Sequence, residues 1–114
     1  MPNIFKIIDT AVYDNALTNG WFHGAEIDLK DGYIHFSARD QVVETARLHF
    51  AGREKLMLLA VNAEALGDAL KWEASRGGKL FPHLYAKLDM KKVVWAQPLP
   101  WNGKAHEFPA ETFA

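Results

Sequence analysis

The run KLMLLAVN, from Lys55 to Asn62, limits the fold more than any other segment. It is apolar at almost every position and too short for a helix buried all round. Such a segment reads as a strand covered on both faces. A chain that carries one must supply apolar layers on two sides of it. The remaining sequence is therefore expected to form those layers within one domain spanning 1–114. Its core runs from about 3 to 100, and residues 101–114 form an irregular tail rich in Pro and Gly.

Composition narrows the partners. Hydrophobic residues make up 49% and charged residues 24%, ordinary globular usage that argues against wholesale disorder. Thirteen basic residues against fourteen acidic ones give a net charge of -1, and no cluster of Lys and Arg stands out, so nothing marks a nucleic-acid partner. With no cysteine there is no disulfide and no thiolate chemistry. The start MPNIFKIIDT lacks the features of a secretion signal, and no apolar run approaches the roughly 20 residues that span a bilayer. These features lead to the expectation of a soluble cytoplasmic protein with no membrane partner.

Ile4 to Ile8 reads as a first strand, followed by a helix from Thr10 to about Asn19. Val12, Ala16 and Leu17 sit at helical spacing, and Gly20 is the stop. WFHGAEIDLKDG reads as a loop closed by a turn at Asp31-Gly32. Tyr33 to Phe36 is a strand, and Ser37 with Asp40 forms a capping-box-like start for a second helix. That helix carries Val42, Val43, Ala46 and Phe50 on one stripe and ends near Gly52. Strands are expected from Leu70 to Ala74, over LFPHLYAKL and over VVWAQPL. Pro82 suggests an edge or a bulge in the second of these. The expected fold is α+β, a mixed, mostly antiparallel split sheet with two main helices.

Three strands place polar groups in alternation with apolar ones, and alternate residues of a strand share a face. In YIHFS, Tyr33, His35 and Ser37 lie opposite Ile34 and Phe36. In LKWE, Lys71 and Glu73 lie opposite Leu70 and Trp72. In FPHLY, Phe81, His83 and Tyr85 lie opposite Leu84. These side chains donate and accept hydrogen bonds, and imidazole exchanges protons near neutral pH. His35, Glu73 and His83 are the candidate catalytic residues. Tyr33, Ser37, Trp72 and Tyr85 are the candidate ligand-binding residues.

Each has a plainer role available. Ser37 is first a helix cap, Glu73 a surface charge, Tyr85 a half-buried ring with a wet hydroxyl, and Trp72, Trp95 and Phe81 core. The five histidines show no HExxH or comparable metal-ligand spacing, and no glycine-rich phosphate loop occurs. Ser37, His83 and Glu73 form a triad on paper, but Ser37 lacks the G-x-S-x-G elbow.

The succession DGYIHFS, LLAVN, LKWE, FPHLY and VVWAQPL, from IFKI to QPL, closely resembles a largely bacterial family known as domain of unknown function 952. The family is in turn distantly similar to the ADP-ribosyltransferase fold, in particular to its RNA 2′-phosphotransferase branch, where a V-H-L-S strand precedes a helix. That resemblance implies an ADP-ribosyltransferase-like sheet with His35 in a groove that holds NAD, the candidate cofactor. In the strand IFKI, Lys6 stands where that branch carries another groove histidine, and the branch's arginines have no counterpart. An enzyme of this kind would be an ADP-ribosyl or phosphoribosyl-type transferase or glycohydrolase acting on a nucleotide-like, phosphate-bearing small molecule. The rival classes are a non-catalytic small-ligand-binding module and an interaction protein docking through Trp21, Phe22 and Trp101.

Overall fold

The computed structural model describes residues 2–114, apart from the side chain of Arg76. The chain is α+β, and its strands form two three-stranded sheets and a short ribbon. The first sheet has the order β1–β4–β8, from Asn3–Asp9, Leu56–Asn62 and Val93–Pro98. The second has the order β3–β6–β5, from Ile34–His35, Leu80–Leu84 and Leu70–Ala74. β2 (Trp21–Phe22) and β7 (Leu88–Asp89) make the ribbon. Every strand pairing among the described residues is antiparallel. A single bridge between Phe5 and Ser37, with N–H···O bonds of 2.8 and 2.9 Å, ties the first sheet to the end of β3. This is the expected split sheet.

β4 is its central element and is buried on both sides. Leu59 and Val61 enter one apolar cluster with Ile4, Ile8, Ile34, Phe36, Leu84 and Leu88. Leu56, Leu58 and Ala60 point the other way, into a cluster with Phe5, Ile7, Val42, Ala46 and Leu99. The two-residue period of the strand thus serves two cores at once. α1 (Thr10–Asn19) and the second sheet cover the first face. α3 (Val42–His49) and the segment around Leu99 and Phe108 cover the second.

The helices differ in detail from the expectations. α1 ends where Gly20, in the left-handed conformation (φ 87°), turns its N–H back to Ala16 O. On this helix Ala16 is buried, while Val12 and Leu17 are exposed. The segment expected to be a loop contains β2 and a six-residue helix, α2 (Glu26–Asp31). Ser37 does not cap α3: the helix begins at Val42, and the Ser37 hydroxyl bonds Thr45 Oγ1 at 2.8 Å. Gln41 instead folds its Oε1 onto Ala38 N–H. Val43 is exposed, so the buried stripe of α3 is Val42 and Ala46.

Pro82 lies on the central strand of its sheet, not on an edge. In an antiparallel strand a residue's N–H and C=O point to the same side. Pro82 O accepts from Phe36 N–H at 2.9 Å, so its missing donor faces the side where β3 has already ended. β5, on the other side of β6, loses no ladder bond to it.

Candidate functional site

Register decides which polar groups meet. His35 pairs with His83, and Lys71 pairs with His83 from the other side. Glu73 faces Phe81 across β5 and β6. One face of the second sheet therefore carries Tyr33, His35, Glu73, His83 and Tyr85, while Ile34, Phe36 and Leu84 fill the core behind. The Tyr33 ring stacks on His83 with centroids 4.1 Å apart and lies 4.6 Å from His35 and 5.2 Å from Tyr85. The two imidazoles meet edge to face at 5.5 Å.

Two hydrogen-bonded groups are built on this face. In the first, Glu73 Oε1 accepts from Tyr85 Oη at 2.7 Å and sits 2.8 Å from His83 Nδ1. The hydrogen bonds from Tyr85 and then His83 lower the Glu73 pKa. The same bond to Glu73 pushes the Tyr85 phenol up to about 12. Burial, then the negative charge of Asp31 and Glu73, raises the Tyr33 pKa. His83 is buried, and among the described residues its Nε2 has no hydrogen-bond partner.

The second group centres on Asp28, a residue of α2 only 1% exposed. Its carboxylate accepts from Lys6 Nζ (2.9 and 3.0 Å), Ala25 N–H (2.8 Å) and His35 N–H (3.1 Å), and it lies 2.7 Å from His35 Nδ1. The other His35 nitrogen, Nε2, is 3.0 Å from Asp31 Oδ2. Burial alone would raise the Asp28 pKa, but the His35 ring, the Lys6 ammonium and the two amides together hold it at about 2. Lys6 is 8% exposed in the middle of β1, and desolvation lowers its pKa against the pull of Asp28. Gly24 makes room for this: with φ 125°, a Cβ there would come within 2.9 Å of Asp28 Cβ.

Beside these groups opens a hollow of about 490 Å³ between the two sheets and α3. Lys6, His35, His49, Arg53 and His83 line it, together with the Ser37–Thr45 hydroxyl pair, Phe50 and Phe81. Among the described residues that line it there is no Asp or Glu. Asp28 stands behind Lys6, and Asp9 pairs with Arg53. Glu73 and Tyr85 do not reach this wall; Tyr85 and Tyr33 border a smaller hollow of about 290 Å³ with His23 and Asp28.

Of the seven candidate residues, His35, Ser37 and His83 line the larger hollow, Tyr33, Glu73 and Tyr85 lie beside it on the same sheet face, and Trp72 does neither. It projects from the opposite face of β5, 44% exposed, into a separate hollow with Arg39 and Thr112. Asp28, Asp31, Thr45, His49 and Arg53 were not singled out from the sequence. Asp28 had a local signal, an acid at the third position of a helix reaching back to the N–H of Ala25, but only once α2 is recognised. No group of three or more His, Asp or Glu among the described residues is placed to hold a metal ion. No helix among them is long and apolar enough to cross a membrane.

A small α+β chain with an open split sheet and an imidazole-rich face is the class that fold and site define. The chain belongs to the family described as "Protein of unknown function (DUF952)", which it matches over residues 7–96. It is similar to the crystal structure of protein CC0527 from Caulobacter crescentus, a structural-genomics target, with 44% identity and a TM-score of 0.92. That alignment covers 96% of this chain and 97% of the other. The solution NMR structure of CC0527 aligns with 47% identity and a TM-score of 0.83, over 91% and 90% of the two chains. No curated protein matches the chain.

Proposed function

We propose that the hollow between the sheets binds an anionic, nucleotide-like small molecule, with NAD and ADP-ribose as the leading candidates. The observation that carries this reading is the make-up of its wall: among the described residues, every ionisable side chain lining it is a Lys, Arg or His and none is acidic, in a chain whose net charge is -1. A phosphate finds donors in Arg53 and His49, and a planar base finds the rings of Phe50 and Phe81. His83 is the acid or base of the proposal. Its Nδ1 is held by Glu73, which leaves Nε2 for a ligand. Glu73 then acts as the positioning residue of His83, not as a group facing a ribose. In this reading the chemistry is that of an ADP-ribosyl-type transferase or glycohydrolase, and its site of action is the cytoplasm, where the nucleotide pool lies.

A non-catalytic ligand-binding module is the second reading. It is favoured by His35, whose two ring nitrogens both face carboxylates and so serve structure before chemistry. Calorimetric titration with NAD and ADP-ribose, followed by assay of nicotinamide release, separates the two. Binding with release that is lost in His83→Ala supports the enzyme. Binding without release supports the module. Absence of binding by both nucleotides at millimolar concentration overturns the nucleotide reading.

A further inference from the structure

We propose that Lys6 is a covalent ligand-binding residue, its amine capturing the free carbonyl carbon of a phosphate-bearing sugar or aldehyde as an iminium. The inference rests on the reading of the hollow as an anion site and names the class of ligand it takes. Lys6 interrupts an apolar strand, between Phe5 and Ile7, and forms part of the wall of the hollow while remaining 8% exposed. A lysine needed only for solubility would stand on the outer face. One needed only for an ion pair would not also border a hollow lined by Arg53 and His49. Burial also lowers the lysine's proton affinity, which favours the nucleophilic free amine.

The step balances without a further reactant. The Lys6 nitrogen adds to the carbonyl carbon, and the carbinolamine oxygen leaves as water with two of the three ammonium protons. A C=N bond replaces the C=O bond. The iminium keeps one positive charge and one N–H, so of the two contacts with Asp28 at 2.9 and 3.0 Å, one hydrogen bond and the charge pairing survive the reaction. Asp28 thereby stabilises the adduct as it stabilises the ammonium. His83, on the wall of the same hollow, is the group this proposal assigns to protonate the departing hydroxyl. ADP-ribose and ribose 5-phosphate carry a free anomeric carbon that opens to an aldehyde. NAD, whose anomeric carbons are both bonded to nitrogen, does not.

The test is reductive trapping of the full-length chain with cyanoborohydride, which delivers hydride to the iminium carbon and fixes a secondary amine. Ribose 5-phosphate and ADP-ribose are the probes, with ribose and NAD as controls, and the modified lysine is mapped by mass spectrometry. Labelling of Lys6 at least ten-fold faster than of any surface lysine, lost in Lys6→Arg and absent with NAD, is the expected result. The arginine variant keeps the charge opposite Asp28, so the fold is preserved while the amine is removed. Labelling spread evenly over Lys71, Lys87 and the other surface lysines, or unchanged in Lys6→Arg, overturns the inference. If ADP-ribose binds calorimetrically and Lys6 stays unlabelled, only the covalent step fails. If ADP-ribose does not bind either, the anion reading fails with it.

Discussion

His83 and Glu73 meet as a buried imidazole and a partly exposed carboxylate, Nδ1 to Oε1 at 2.8 Å, with exposures of 3% and 39%. The contact crosses the β5–β6 pair and fixes which imidazole nitrogen is committed. Glu73→Gln keeps the shape of the side chain and removes its charge. Nicotinamide release is expected to fall by about 10²-fold or more, the usual contribution of a positioned acid or base. The melting temperature is expected to move little, because the carboxylate is near the surface. A large loss of stability with unchanged turnover would mean that the pair is only a brace.

The Tyr85–Glu73 bond predicts an unusual tyrosine titration. The Tyr85 phenol, pushed up to about 12 by that bond, is expected to ionise well above the ordinary tyrosine range. The sign is that of a raised folded value: the bond stabilises the fold below the ordinary tyrosine range and is lost as pH rises through about 12. Ultraviolet titration checks this, and Glu73→Gln is expected to return Tyr85 toward the ordinary value.

Asp28 predicts the acid limb of stability. Its folded value of about 2 lies below the unfolded 3.8, so its contribution is complete above that unfolded value and disappears as pH falls through about 2. The difference corresponds to about 2 kcal/mol. Asp28→Asn leaves Lys6 buried without its counter-charge and is expected to cost about 3–5 kcal/mol in urea unfolding. Adding Lys6→Met to that variant is expected to recover part of the loss. A double variant less stable than Asp28→Asn would contradict the pairing.

Thr112 offers a change in the opposite direction. Its Oγ1 is buried and has no hydrogen-bond partner among the described residues, in a residue 1% exposed. Thr112→Val keeps the volume and removes the unsatisfied hydroxyl, so a gain of about 1 kcal/mol is expected from chemical denaturation. A loss of comparable size would show that the hydroxyl is satisfied in solution.

Gly24→Ala tests the seat of Asp28. A Cβ there meets Asp28 Cβ at 2.9 Å with backbone φ at 125°, so strain and contact act together. A loss of more than about 1 kcal/mol is expected, with the acid limb of the stability profile altered as well. Stability unchanged within error would show that α2 shifts freely.

Much of the site was legible because strand periodicity is local. Tyr33 and His35 share a face, as do His83 and Tyr85, wherever their strands lie, and β6 brings His83 opposite His35. Trp72 shows the same rule from the other side: its alternation with Glu73 already separated the two, and the structure sets the indole in another hollow. Asp28 was not legible. Its helix has six residues and no apolar periodicity, and its principal partners, Lys6 and His35, lie 22 and 7 residues away. Pro82 was misplaced for a related reason, since a central strand tolerates proline only when its neighbour stops short, and β3 has two residues.

What the chain order alone determined was membership of faces and the doubly buried β4, because side-chain direction alternates with each residue whatever surrounds the strand. The tertiary structure decided which strands became neighbours, that a lysine within β1 found its carboxylate in α2, and that the basic groups turned toward one hollow. Those outcomes depend on contacts between segments far apart in the chain, where loop closure and shared burial outweigh any local preference.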